Sequence, residues 1–200
     1  MKKMICMLLA VAFVLSFAAC GKQEVAYEAG TCTDTTYTST FEGLTYTITS
    51  GMTMATKDQL DQMIAAGAEY AYEDDAQKVI DYAKTKTVYE MMAYAEDGGN
   101  VMVMAEKVPF TITDEDAYID SYRDALETAG LTVTYDGNPK DVEIAGAKYR
   151  ELNYAMEISG VTVLQSAYFR KIGDRVVVIS LTYFSEGGKA ALMSGFAPLK

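Results

Sequence analysis

Apolar and polar positions alternate through most of the second half of the chain, the period expected of half-buried strands. Lys148–Ile158, Val161–Arg170 and Arg175–Phe184 are three long runs of this kind, separated only by Ser159-Gly160 and Ile172-Gly173-Asp174. Turns so short predict antiparallel neighbours. Val176-Val177-Val178-Ile179 lacks polar alternation, which predicts a central strand covered on both faces. Ahead of these, Leu131–Tyr135 and Val142–Ile144 predict two short strands, closed by Asp136-Gly137-Asn138-Pro139 and by Ala145-Gly146. Thr87–Ala95 and Val101–Val108 flank the turn Asp97-Gly98-Gly99-Asn100 and predict a hairpin. Thr38–Thr49 predicts another, with Leu44, Tyr46 and Ile48 alternating after a turn at Glu42-Gly43.

The spacing lengthens elsewhere. Thr56-Lys57-Asp58-Gln59 is a capping box, and Leu60, Met63 and Ile64 follow at helical intervals, with Gly67 as the expected stop. Glu73-Asp74-Asp75 puts acid at the positive end of a second helix, whose apolar face is Ala76, Val79, Ile80 and Ala83. Thr113-Asp114-Glu115-Asp116 opens a third, with a stripe of Tyr118, Ile119, Tyr122, Ala125, Leu126 and Ala129 and Gly130 as its stop. Gly187–Phe196 predicts a closing helix that packs Ala191, Leu192 and Phe196 inward.

The first twenty residues follow neither period. Lys2 and Lys3 precede an apolar run, Met4–Phe17, interrupted only by Ser16, and the stretch ends Phe17-Ala18-Ala19-Cys20. Charge, apolar core and small residues in that order make a secretion signal. Met4–Ala19 falls short of the roughly 20 residues needed to span a bilayer. Ending on cysteine, the segment resembles the signal of bacterial lipoproteins. That resemblance implies cleavage before Cys20, a diacylglycerol on the Cys20 thiol and acylation of the new amino group, so that the protein meets the membrane through a lipid anchor. Residues 1–19 are then the signal peptide. Residues 20–36, polar and threonine-rich, form a lipidated tether, and 37–200 one domain of ordinary size.

Composition narrows the chemistry. The net charge is −11, and loss of Lys2 and Lys3 with the signal takes it to −13. Such a surface repels nucleic acid and anionic headgroups alike. The chain has no histidine, which excludes Ser-His-Asp and Cys-His nucleophiles and most zinc sites, and no tryptophan for a sugar platform. Cys6 leaves with the signal and Cys20 is consumed by lipid. Cys32 remains as a lone thiol in the tether.

Other motifs read as structure. The acidic triplets at 73–75 and 114–116 sit where helices begin and lack the spacing of a calcium loop. Gly187-Gly188-Lys189 lacks the upstream glycine and following hydroxyl of a phosphate loop. Met91, Met92, Met102 and Met104 read as core. Lys148, Arg150, Arg170, Lys171 and Arg175 fall close together on the last strands. They fit either strand-face charges paired with Glu151 and Asp174, or a basic patch for an anionic partner or the membrane.

The order of elements, with Ala145-Gly146-Ala147-Lys148-Tyr149, Gln165-Ser166-Ala167-Tyr168-Phe169-Arg170 and Val176–Phe184, resembles small secreted or lipid-anchored bacterial proteins with a PsbP/Mog1-like fold. Where such proteins often carry Pro-x-Gly-Trp, this chain reads Ser50-Gly51-Met52. The resemblance implies an α+β domain, an antiparallel β-sheet flanked by helices in an α/β/α sandwich. It also implies a non-enzymatic binding or accessory role outside the cytoplasm, towards a protein partner or a small ligand, with no cofactor and no metal. A solute-binding lipoprotein is the alternative, and a carboxylate-dependent hydrolase a more distant one.

Overall fold

The structure, a computed structural model, describes residues 26–72, 75–129, 131–158 and 160–200. The segment expected to be a lipoprotein signal, with Cys6 and Cys20, and Glu73, Asp74, Gly130 and Ser159 lie outside the described residues. In chain order the elements are β1 (Thr31–Cys32), β2 (Thr36–Ser39), β3 (Leu44–Thr47), β4 (Met52–Met54), α1 (Lys57–Tyr72), α2 (Ala76–Lys86), β5 (Thr87–Ala95), β6 (Asn100–Lys107), α3 (Glu115–Thr128), β7 (Val133–Tyr135), β8 (Lys140–Ile144), β9 (Ala147–Ile158), β10 (Val161–Ile172), β11 (Arg175–Tyr183), α4 (Glu186–Met193) and β12 (Phe196–Pro198). The domain is α+β and its sheets are antiparallel throughout, as the sequence pattern predicts.

The large sheet runs β4-β5-β6-β11-β10-β9-β7, with β8 also paired to β9. Its centre is β11, bonded to β6 on one side and β10 on the other, and buried from Val176 to Tyr183. Alternation splits that strand between two cores. Val176 and Val178 face α1, α2 and α3 in a cluster with Leu60, Ile64, Tyr118, Ile119, Leu126 and Phe169. Val177, Ile179 and Leu181 face the opposite way, against Tyr37, Leu44 and Tyr46 of the small sheet and Leu192 of α4. The small sheet is β1-β2-β3-β12. The second cover is therefore mostly sheet, with one short helix beside it.

Local chemistry sets the ends of the helices. Gln59 N–H donates to Thr56 Oγ1 (3.3 Å) and Thr56 N–H to Gln59 Oε1 (2.9 Å), so the capping box closes. Asp114 caps α3 by accepting from Ala117 N–H at 2.9 Å. That bond, first among the causes, holds the Asp114 carboxyl below its ordinary pKa. Phe169 is fully buried beneath α3, its ring 5.6 Å from that of Tyr118 and 5.2 Å from that of Tyr122.

Three expectations change. Helix α1 passes through Gly67 to Tyr72, because Gly67 is buried among alanines that favour the helix, and an interior glycine costs only about 1 kcal/mol against alanine. Helix α4 stops at Met193, and Phe196 belongs to β12, where its ring lies 4.7 Å from Tyr46. Ala191 is exposed, and Leu192 alone of the predicted trio is buried from the helix. Helix and strand separate at Gly195, where a Cβ would stand 2.5 Å from Thr47 O and 2.5 Å from the Tyr46 ring.

The two kinds of glycine in this region should respond oppositely to alanine. Gly195→Ala should destabilise by about 1–3 kcal/mol through overpacking against backbone. Gly187→Ala, inside α4 with its nearest contact at 3.9 Å, should stabilise by roughly 0.5–1 kcal/mol. Urea unfolding of both variants measures the difference, and equal effects would refute this account of the α4–β12 junction.

Candidate functional site

A bulge in β5 builds the site. The register between β5 and β6 slips between Tyr89 and Met91, so strict alternation fails at Glu90. Tyr89 packs into the helix-side core, whereas both Met91 and the Glu90 side chain meet the small-sheet side. Its carboxylate then collects donors from β2 and from the segment ahead of it. Tyr27 Oη donates to Glu90 Oε1 (2.9 Å), Gly30 N–H to Oε2 (2.6 Å) and Tyr37 Oη to Oε2 (2.7 Å). Cys32 Sγ reaches Glu90 O at 3.4 Å. Residues read as tether are thus seated on the body from Tyr27 onward, with β1 adding a short pairing to β2. Gly30 permits this closeness, since a Cβ there would meet the Tyr37 ring at 2.3 Å.

A second carboxyl stands beside the first. Glu42, 2 % exposed, lies 3.2 Å from Tyr37 Oη through Oε1, and its Oε2 has no hydrogen-bond partner among the described residues. Burial, then the charge of Glu90, pushes its pKa up to about 8, against weaker opposition from Tyr37 and Arg170. Burial and Glu90 thus favour the protonated form of Glu42 near neutral pH, and the shorter of the two Tyr37 contacts is the one with Glu90. Burial followed by the two carboxylates raises the Tyr37 phenol far above its ordinary value.

Arginines close the site. The Arg175 guanidinium lies 3.7 Å from the centre of the Tyr27 ring, and its Nη1 is 3.4 Å from Ala105 O. Arg170 donates from Nη1 to Glu42 O (2.8 Å) and lies 5.8 Å from the Tyr149 ring centre. Burial raises the Tyr149 phenol to about 12. The arrangement is a clasp: acid, phenols and guanidinium hold the N-terminal segment against β5, β6 and β11.

The five cations grouped by the sequence do not share one face of the sheet. Arg150 turns to the helix side, where it pairs with Asp116 (2.9 Å) and Asp141 (3.0 Å). Arg170 and Arg175 serve the clasp. Lys171 donates its backbone N–H to Glu115 Oε1 (2.7 Å) and its Nζ to Gly173 O (2.7 Å). Lys148 is exposed, in register with Glu143. The expected carboxylate partners are taken by other cations. Asp174 pairs with Lys107 at 3.3 Å, and Glu151 with Lys189 and Lys140.

That Glu151 network is the second polar centre, under α4. Lys189 Nζ donates to Glu151 Oε1 (2.8 Å) and Asn153 Oδ1 (3.1 Å), while Lys140 reaches Glu151 Oε2 at 3.0 Å. Ser166 bonds Asn153 at 2.5 Å and lies 3.1 Å from Tyr183 Oη. The Glu151 pKa is lowered because its two lysines outweigh a larger single burial effect. Gly187-Gly188-Lys189 thus serves as a cap and an ion pair: Gly188 N–H donates to Ser185 Oγ at 3.1 Å.

Cys32 is exposed, and partial desolvation, then Glu90, raises its thiol pKa. Met92, Met102 and Met104 are core on the helix side and Met91 on the other. Among the described residues no group of three or more Cys, Asp and Glu is arranged to hold a metal ion. The clasp residues Glu42, Glu90 and Tyr27 escaped sequence reasoning. Their one trace was an acid, Glu90, inside an otherwise apolar strand.

No protein-family model matches the chain, and no curated protein does. Among solved structures, a cyanobacterial PsbP from Synechocystis is similar at 12 % identity, covering 90 % of this chain and 98 % of that one, with a TM-score of 0.49. A Bacteroides thetaiotaomicron protein matches at 12 % identity over 84 % of this chain and 49 % of its own, TM-score 0.43. A protein of unknown function from Pseudomonas aeruginosa matches at 16 % identity over 46 % and 62 %, TM-score 0.34.

The raised pKa of Glu42 carries a sign. Between about 4.5 and 8 the folded state binds a proton that the unfolded state has lost, so stability falls as pH rises through that window and levels above it. The contribution is of order 3–5 kcal/mol at its largest. Glu42→Gln should remove this slope, so that the variant gains on the wild type between pH 5 and pH 9. Chemical denaturation at several pH values measures it, and parallel curves would refute a protonated Glu42.

Proposed function

We propose that the chain is a lipid-anchored, extracytoplasmic accessory module that holds a protein partner near the membrane and performs no chemistry of its own. One observation carries the reading. Tyr27, only seven positions after the cysteine of the lipoprotein-like signal, is already fastened to the body by Glu90 and Arg175. A seven-residue span reaches at most roughly 25 Å. A lipid on Cys20 then keeps the domain close to the bilayer and in a restricted orientation, which suits docking better than long-range capture. Two or more acyl chains make such an anchor stable.

The acids at the start of α3, the candidates for carboxylate-dependent hydrolysis, have structural partners, which supports the same reading. Asp114 caps a helix, Glu115 accepts a backbone N–H, and Asp116 pairs with Arg150. Solute recognition is the second reading, favoured by the convergence of Lys189, Lys140, Asn153 and Ser166 around Glu151. A small ligand there would raise the melting temperature by mass action, which a protein-docking role does not require.

Cys20→Ser should move the protein from the membrane fraction to the soluble one while leaving its melting temperature unchanged. Affinity purification from crosslinked membranes should then enrich a defined neighbour with the lipidated protein and lose it with the variant. Retention of Cys20→Ser in the membrane fraction would overturn the anchor.

A further inference from the structure

The overall negative charge hides a polarity along the strands. One end of the large sheet carries the β8–β9 and β10–β11 turns, the exit of β6 and the entry to β5, as the registers Ile144↔Ala147, Ile172↔Arg175 and Thr87↔Glu106 require. At or beside that end lie Lys84, Lys86, Lys107, Lys148, Lys171 and Arg175. Of the carboxylates there, Asp114 serves the α3 cap, Glu115 accepts the Lys171 N–H, Asp116 and Asp141 pair with Arg150 and Asp174 with Lys107, while Glu143, in register with Lys148, is exposed. The opposite end carries Glu96, Asp97, Glu157 and Glu186 in or next to its turns and the start of α4.

The balanced end also bears the most exposed large apolar side chain among the described residues. Phe110 is 66 % exposed, in the turn where Ile112 N–H donates to Pro109 O at 3.0 Å. Its position is tied to the clasp. Lys107 pairs in register with Arg175, Val108 N–H donates to Asp174 O at 2.9 Å, and Arg175 carries the Tyr27 ring. The described chain therefore begins near the end of the sheet that presents Phe110.

From these placements we infer that this end of the sheet is a membrane-contact surface. Phe110 inserts at the headgroup boundary of an anionic bilayer, and the lysines around it approach the headgroups. The occupant is lipid for three reasons: the short span from Cys20 to Tyr27 keeps this end near the bilayer, aromatic rings favour the interface, and lysines meet anionic headgroups. The acidic end then points away from the membrane, where headgroup charge repels it least. This inference rests on the lipid anchor proposed above.

The chain has no tryptophan, so single reporters are clean. The natively lipidated full chain is prepared as Phe110→Trp and, at the acidic end, as Val161→Trp, where the native residue is 38 % exposed. Thr111→Trp, also at an exposed position, replaces the first reporter should Phe110→Trp unfold. Each is reconstituted in phosphatidylcholine–phosphatidylglycerol vesicles with brominated acyl chains. Tryptophan at 110 should shift to the blue and lose intensity to the bromines, while that at 161 keeps its aqueous emission. Vesicle-bound protein with equal emission at both positions overturns the contact surface and leaves the anchor standing. A blue shift at 110 without bromine quenching assigns the surface to protein contact and overturns the lipid. Protein that fails to remain on vesicles overturns anchor and surface together.

Discussion

A strand buried on both faces needs two covers, and β11 imposes that requirement on the whole chain. Val176 and Val178 would expose apolar surface without the helices, and Val177, Ile179 and Leu181 would do so without the small sheet. Each fully buried valine, leucine or isoleucine is worth about 1.5–3 kcal/mol relative to exposure, so neither cover is dispensable. The N-terminal strands and the C-terminal strand, far apart in sequence, meet in one sheet for this reason. Phe196 pairs in register with Tyr46, and both rings lie over the same core.

The clasp is a consequence of that second cover. Tyr37 is fully buried, and a buried phenol needs a partner for its hydroxyl. The bulge at Glu90 supplies one, and the same carboxylate then draws in Gly30 and Tyr27. Burial and the charge of Glu90 favour the protonated form of Glu42 beside it, since two charged carboxylates sharing one phenol, with Arg170 bonded to a backbone oxygen, would leave a buried charge poorly paired. Packing of the small sheet and capture of the N-terminal segment are thus one electrostatic problem with one solution.

Much of the fold was legible because periodicity reports local geometry. Three long strands, the hairpin at 97–100, the central position of β11 and the start of α3 follow from alternation, turn residues and a cap. The misreadings share a physical cause. Gly67 and the 187–196 stretch were judged by local propensity, whereas burial carried α1 through its glycine and a close approach to Thr47 broke the chain at Gly195. The clasp was illegible for a different reason. It joins residues 27, 42, 90 and 175, and its key geometry is a bulge, which displaces one side chain to the opposite face without leaving a distinct residue pattern.

Charge was the least legible property, because composition averages what topology separates. The cluster 148–175 looked like one patch only along the sequence. In the sheet, neighbouring positions alternate faces, so Arg150 turns to the helices and Arg170 to the small sheet. What survives is an end of the sheet and not a face: Lys148, Lys171 and Arg175 lie beside turns, and Lys84, Lys86 and Lys107 join them from distant parts of the chain. Strand ends are where antiparallel turns gather, so a charge pattern written at turns becomes a polarity along the strand axis. A net charge of −11 is compatible with one nearly balanced pole. That pole is also the one to which Arg175 fastens Tyr27, so the side chain that orders the start of the described chain also holds it to that end of the domain.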